Sequence, residues 1–287
     1  MPLACLALSE PHGSANFMEA GGPGLKTTAA LENGEWIVNG EKIWSTSIAG
    51  WNKRGPDLIC LVCRDSSVDH AEAKSPAESL LILTVPNNLL NADNFVIRSY
   101  PRTAGLTATC GPLVILKDLR IPDRPEYVLA RGGQAAVSLL EVSKRGSAVA
   151  AAMGLGVLRR AIKEAAAFVS SEKRGGKTNR KVVQTEAAVT MLAQLRMRSA
   201  VTEALVNSAA TKIDGNDPGA REAALQAKVQ ASEEAIQCVL EASRLVGVTS
   251  YDQNKSILSD LLLDAMGLPL IGGSNTMIRK TLATLAA

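Results

Sequence analysis

Ten prolines, at positions 2, 11, 23, 56, 76, 86, 101, 112, 122 and 125, crowd the first part of the chain, and only Pro218 and Pro269 follow. Proline lacks an N–H donor and clashes with the preceding turn of a helix, so no long helix can run through the first part. Turns and strand edges tolerate it. Between the prolines stand short apolar and β-branched runs, Glu35 to Val38, Leu58 to Val62, Leu80 to Val85 and Leu113 to Leu116, separated by Gly, Pro, Asn and Asp. This alternation predicts a β-sandwich or barrel domain over residues 1–130.

Beyond Gly133 the text becomes Ala-rich, with Val137, Leu140, Val149, Met153, Val157, Ala161 and Ala165 at helical spacing. Gly175-Gly176 breaks that long helix, and a second runs from about Val183 to Ile213 before Asp214-Gly215. Asp217 as N-cap with Pro218 at the first helical position opens a third helix that ends near Gly247. Two more follow, at Ile257 to Met266 and from Asn275 onward. The expected architecture is therefore α+β, with an antiparallel four-helix-bundle-like domain over residues 131–287.

With 287 residues, 46% of them hydrophobic, the chain can bury a substantial core. Its net charge of +3 is spread in mixed signs, which argues against nucleic-acid and membrane partners. The apolar opening Met1 to Leu8 is short, lacks a basic leader and runs into a polar turn, so it reads as a buried strand rather than a signal peptide. No apolar run approaches the roughly 18 to 20 residues of a membrane span, and an intracellular, cytoplasmic location is expected.

The five cysteines are odd in number and scattered, which disfavours a disulfide framework. Cys60 and Cys63 form C-x-x-C within a strand pattern, where positions i and i+3 face opposite sides. His12 and His70 are the only histidines, and no metal site is expected. Gly21 to Thr27 looks like a phosphate loop, but Leu25 occupies the position where Gly must precede the Lys.

Several segments carry a family resemblance. Ser9-Glu10-Pro11, Gly13, Ala15-Asn16, Gly21 to Leu25, Gly40-Glu41-Lys42, Gly50-Trp51, Arg174-Gly175-Gly176, Gln184, Val246-Gly247, Ser250-Tyr251, Pro269-Leu270 and Asn275 occur in the order found in the acyl-CoA dehydrogenase superfamily, most closely its nitroalkane oxidase branch. The matches run through nearly the whole chain. The resemblance implies the middle β-domain and the C-terminal helical domain of that superfamily, FAD as cofactor, a small or medium organic substrate and a homo-oligomer, dimer or tetramer. Set against that resemblance, a chain that opens almost at the first middle-domain strand is expected to lack the superfamily's N-terminal helical domain, so that the site is either open or closed by a subunit rearrangement or a full-length homologous partner.

A flavin ring needs hydrogen-bond partners along one edge and an apolar wall. By resemblance, Ser9 bonds the pyrimidine edge, Gly13 and Ser14 approach the phosphates, Trp44 walls the ring and Thr46 bonds near its reactive nitrogen. Arg174 reaches a neighbouring subunit's dinucleotide, for which a forked guanidinium is suited. Gly247 retains the first glycine of an adenine-side turn, and Ser274 takes the place of a hydroxyl residue that contacts the diphosphate.

One departure bears on chemistry. Proton abstraction by a positioned carboxylate is the usual step, and Gly272 stands where the resemblance places that carboxylate. Arg279 is retained without it, and Gly146 stands where the nitroalkane oxidase branch has an active-site Ser. Arg279 and Thr46 are the candidate catalytic residues. Glu141, rotated away from Gly146 along the same helix, and His12, in a turn, are weaker substitutes. The expected function is an FAD-dependent oxidoreductase lacking its usual base. Alternatives are a non-redox cyclase or isomerase on the same fold, and a non-catalytic subunit.

Overall fold

The computed structural model describes residues 1–12, 17–18, 24–68, 76–109, 111–173 and 180–285. Strands β1 (Ala4–Ala7), β2 (Thr28–Glu32), β3 (Glu35–Lys42), β4 (Leu58–Asp65), β5 (Leu80–Pro86), β6 (Phe95–Ser99), β7 (Leu113–Pro122) and β8 (Val128–Arg131) precede five helices. These are α1 (Gly132–Ser171), α2 (Glu186–Asp214), α3 (Ala220–Val246), α4 (Leu258–Gly267) and α5 (Asn275–Leu285). The chain divides into two compact units inside α1. A β unit comprises residues 1–103 and 107–141, and a helical unit comprises residues 104–106 and 142–287.

In the β unit the strands form one mixed sheet in the order β6-β7-β3-β2-β4-β5-β8, with β1 parallel to β4. Strand alternation sorts β4 and β5 between two cores. Ile59, Leu61, Cys63, Leu81, Leu83 and Val85 face a core shared with Trp36, Val38, Leu119 and Ile121. Val62, Leu80 and Ile82 face the other way, where Ala135, Ala136 and Leu139 of the first turns of α1 cover them. The two faces explain the continuous apolar runs in the sequence. Cys63 is fully buried, and burial pushes its thiol up to about 12, so it is an inert core residue.

A bulge between Val38 and Gly40 re-registers β3 against β7. Gly40 has φ +152°, and a Cβ there would lie 2.6 Å from Thr27. Only glycine fits this close approach.

The helical unit packs small residues on small residues. Ala151 and Leu155 of α1 meet Ala224, Ala227 and Ala231 of α3, while Leu158, Ala161 and Ala165 meet Cys238, Val239 and Ala242. At the closest point a Cβ on Gly154 would stand 2.7 Å from the Ala231 carbonyl oxygen. Thr185 caps α2 by accepting from the Ala188 N–H, and Gly215 ends that helix.

The start of α3 differs from the sequence expectation. Asp217 Oδ1 accepts from the Gly219 N–H at 2.7 Å and its carbonyl accepts from Ala220 at 3.0 Å, so Pro218 lies in a turn and the helix begins at Ala220. The Asp side chain satisfies the free donors before the helix can start. Among the described residues, no helix is long and apolar enough to cross a membrane.

Candidate functional site

In the β unit the candidate residues gather where the chain leaves β1 and β3. The Ile43 N–H donates to the Ser9 carbonyl at 3.0 Å, and the Trp44 N–H donates to the Gly111 carbonyl at 3.1 Å. Trp44 has φ +61°, a left-handed conformation that a bulky residue adopts only when its surroundings impose it. Gly111 permits the clamp, since a Cβ there would lie 2.7 Å from the Trp44 Cα. The indole is 57% exposed, Thr46 is exposed, and Ser9 is half-buried. Ser45 between them is buried, and its hydroxyl has no hydrogen-bond partner among the described residues.

A buried ion pair anchors this edge. Lys42 Nζ, fully buried at the end of β3, donates to Glu10 Oε1 at 2.8 Å and to the Leu8 carbonyl at 3.1 Å. The Glu10 carboxylate also accepts the backbone N–H groups of Lys26 and Thr27, at 2.7 and 3.1 Å. Burial pushes the Glu10 carboxyl up, but the Lys42 charge and these hydrogen bonds outweigh it and hold it below the ordinary value. Burial likewise lowers the Lys42 ammonium, and Glu10 only partly offsets this. The segment after β1 is thus tied to β2 and β3 at once. Both residues stand in segments that carry the family resemblance, but their pairing, which joins positions 32 apart, has no signal in the sequence.

In the helical unit a second buried lysine organises the turn that carries Gly272. Lys228 Nζ donates to the carbonyls of Gly273 at 2.7 Å and Pro269 at 3.3 Å, and to Asn275 Oδ1 at 2.8 Å. All three ammonium protons are used. Asn275, also buried, donates from Nδ2 to Ser232 Oγ at 2.9 Å and to Glu233 Oε1 at 2.8 Å. Burial lowers the Lys228 pKa to about 8. The signal available in the sequence was a lysine at the apolar spacing of Ala224, Ala231 and Ala235, on the face that packs inward.

Gly272 has φ +63°, and a Cβ built on it meets nothing within 4 Å. Gly146, exposed on α1, is equally open. Arg279 is not left without a partner, contrary to the sequence expectation. Its guanidinium donates to Glu233 Oε1 at 3.0 Å, and both side chains are partly exposed. Hydrogen bonding from Asn275, and then the bond and charge of Arg279, hold the Glu233 carboxyl below its ordinary value. Glu141 is exposed.

Ser274 caps α5, its hydroxyl accepting from the Met277 N–H at 3.4 Å. Gly247 ends α3 at φ 76° and ψ −152°, a region open essentially to glycine alone. Gly13, Ser14 and Arg174 lie outside the described residues.

These two clusters, each on its own unit, lie within a known framework. Residues 135–286 match the acyl-CoA dehydrogenase C-terminal domain family. The chain belongs to the acyl-CoA dehydrogenase superfamily. Within it, the chain is 36% identical over 286 residues to nitroalkane oxidase of Podospora anserina and 33% over 291 residues to that of Fusarium oxysporum. Each match covers 97% of this chain but 65% of the relative, so the chain spans about two thirds of the length of these curated proteins. The long-chain specific acyl-CoA dehydrogenase of Mus musculus is 24% identical over 283 residues, covering 98% of this chain and 60% of that one.

The solved Podospora anserina nitroalkane oxidase superposes with a TM-score of 0.93 at 35% identity, covering 99% of this chain and 67% of that structure. Butyryl-CoA dehydrogenase of Megasphaera elsdenii, at 18% identity and a TM-score of 0.85 over 99% of this chain and 68% of that one, shares the fold. Nitroalkane oxidase and the acyl-CoA dehydrogenases are FAD flavoproteins. The superfamily's β-domain and helical domain correspond to the two units described above.

Proposed function

We propose that this chain is an FAD-dependent oxidoreductase-like protein that acts on a small or medium organic substrate without a carboxylate at position 272. The observation that carries this reading is the turn at Gly272, held from below by Lys228, open above and lacking a side chain. Solved forms of nitroalkane oxidase carry replacements of an active-site Asp and an active-site Ser, and an Arg has been analysed with that Asp for its role in the reaction. The interval from that Ser to that Asp equals the interval from Gly146 to Gly272 here, and the Arg lies as far beyond the Asp as Arg279 lies beyond Gly272. Matching intervals support the correspondence of all three positions.

The residues present fit a flavin. Trp44 offers an exposed aromatic face, the unpartnered Ser45 hydroxyl and the exposed Thr46 stand beside it, and Ser9 is bonded to the same turn. Gly13, Ser14, Arg174, Gly247 and Ser274 complete the proposed set. Bound FAD supplies the capacity to take up two electrons from a substrate. The chain's own residues wall it, orient it and set the electrostatics around it. Arg279 provides a positive charge for an anionic group, and the two open glycines leave room for a substrate bulkier than one fitting between an Asp and a Ser. The functional form is a homo-oligomer.

The absorption spectrum of the freshly purified protein tests the reading directly. The expected result is bound flavin whose visible bands bleach anaerobically on addition of a nitroalkane or another acidic organic substrate. Protein that neither retains nor takes up FAD overturns the proposal. Turnover with unbleached flavin replaces it with cyclisation or isomerisation, the second reading that open space at Gly146 and Gly272 favours.

A further inference from the structure

The arginine that would accompany a carboxylate at position 272 is bonded instead to a carboxylate from a different helix, Glu233 on α3. Three features distinguish Glu233 from an ordinary surface acid. Its Oε1 accepts two bonds, from Asn275 Nδ2 at 2.8 Å and Arg279 at 3.0 Å. Asn275 is 3% exposed and is itself gripped by Lys228, the residue that also holds the Gly273 carbonyl, so Glu233 belongs to the polar network that shapes the Gly272 turn. The Glu233 side chain retains 41% of its exposure, which leaves a positioned carboxylate open to solvent and to small molecules.

Resting on the function proposed above, we propose that Glu233 is the relocated general base of this protein, with Arg279 beside it stabilising the anion that forms. The substrate class is a carbon acid whose anion is delocalised onto oxygen, of which a nitroalkane is the simplest member. In the step, the substrate C–H bond breaks, the proton forms an O–H bond on the Glu233 carboxylate, and the electron pair stays on the substrate and spreads onto its oxygens. No oxidant is consumed in this step. Arg279, already within hydrogen-bond distance of Glu233, supplies the positive charge that an anion at this place requires.

Two electrostatic consequences follow. Asn275 and Arg279 keep the Glu233 carboxylate ionised at neutral pH, ready to accept a proton. A carboxylate so stabilised is a weak base, which restricts it to carbon already acidified by its substituent. The charged groups facing Glu233 are Arg279 from α5 and Lys228 from its own helix, and both favour the anion.

The test is deuterium wash-in at the carbon bearing the nitro group of nitroethane, followed by proton NMR in D2O with the flavin-loaded protein. Exchange reports C–H cleavage without any oxidation. The wild type is expected to accelerate exchange over buffer, with a rate that falls only below the ordinary glutamate range of about pH 4. Glu233→Gln preserves the shape and an acceptor for Asn275, and is expected to lose about a hundredfold in exchange while retaining bound FAD and thermal stability. Glu233→Asp is expected to restore part of the rate. Unchanged exchange in Glu233→Gln overturns the assignment and leaves the flavin reading standing. A flavin-loaded wild type that gives no acceleration also overturns the base. Protein that takes up no FAD overturns the reading beneath it and the assignment with it.

Discussion

Lys42 in the β unit and Lys228 in the helical unit are both fully buried, yet their charges are met differently. Lys42 contacts the buried carboxylate of Glu10 directly. Among the described residues Lys228 contacts neutral oxygens, two backbone carbonyls and the Asn275 amide, with Glu233 reached through Asn275. A buried ion pair makes each partner dependent on the other, because removing one strands a charge in a medium that cannot solvate it. Losing Lys228 strands no charge: its three neutral acceptors are left unsatisfied, but the cost of burying the ammonium, visible in its lowered pKa, is recovered and offsets much of that loss. The β unit thus holds its edge by charge cancellation, and the helical unit holds its turn by ligation of a cation. This leaves the Glu233 carboxylate at the rim, available for chemistry.

The largest effect should come from breaking the pair on one side. Lys42→Met is expected to destabilise the β unit by about 3 to 5 kcal/mol, and pairing it with Glu10→Gln should recover much of that loss. All three tryptophans, Trp36, Trp44 and Trp51, lie in the β unit, so tryptophan fluorescence during urea unfolding follows this unit alone. If the double variant is no better than Lys42→Met, charge cancellation is not what holds the edge.

A smaller loss is expected from Lys228→Met, about 1 to 2 kcal/mol, read by far-UV circular dichroism of the helices. A loss as large as that of Lys42→Met would erase the distinction between the two sites.

The pH dependence sharpens the comparison further. Lys228 titrates at about 8 in the folded protein, below its ordinary value of 10.5. Between those values the unfolded chain binds the proton that the folded chain has released, so this group's contribution to stability rises with pH. Wild type should gain about 1 kcal/mol from about pH 7.5 to about pH 9 relative to Lys228→Met. Glu10 has the same sign in a lower pH window, but there the fold favours the charged form. Its folded pKa is depressed below 4.5, so its stabilisation is present above that value and is lost as pH falls through the folded one. Acid titration of tryptophan fluorescence, compared with Glu10→Gln, reads this loss.

The smallest effect on stability belongs to Gly272→Asp. The site is sterically open, so the expected cost is only the left-handed backbone, about 1 kcal/mol, where Asp is among the better tolerated residues. The same variant places a second carboxylate near the turn held by Lys228. A cost well above this, measured by thermal denaturation, would show that the turn is not open.

Much of the fold was legible in the amino-acid order. The proline distribution excluded long helices from the first part, strand alternation separated Cys60 from Cys63, and glycines ended α2 and α3 where periodicity stopped. The gathering of Ser9, Trp44 and Thr46 was legible through resemblance, and the open Gly272 through its missing side chain. The start of α3 was misplaced because the Asp217 side chain competes with the helix for the same donors. The partner of Arg279 was not legible at all, since Glu233 lies 46 positions away on a helix whose charged residues look alike in sequence.

By itself, then, the sequence determined backbone preference, because proline, glycine and side-chain periodicity act over a few residues and need no distant partner. It also determined which side chain is absent at 272. Only the tertiary structure decided which charges are compensated: Glu10 by Lys42, Lys228 by carbonyls, Arg279 by Glu233. Burial and pairing depend on which surfaces meet, and the energy of a charge is set by the groups that replace its water.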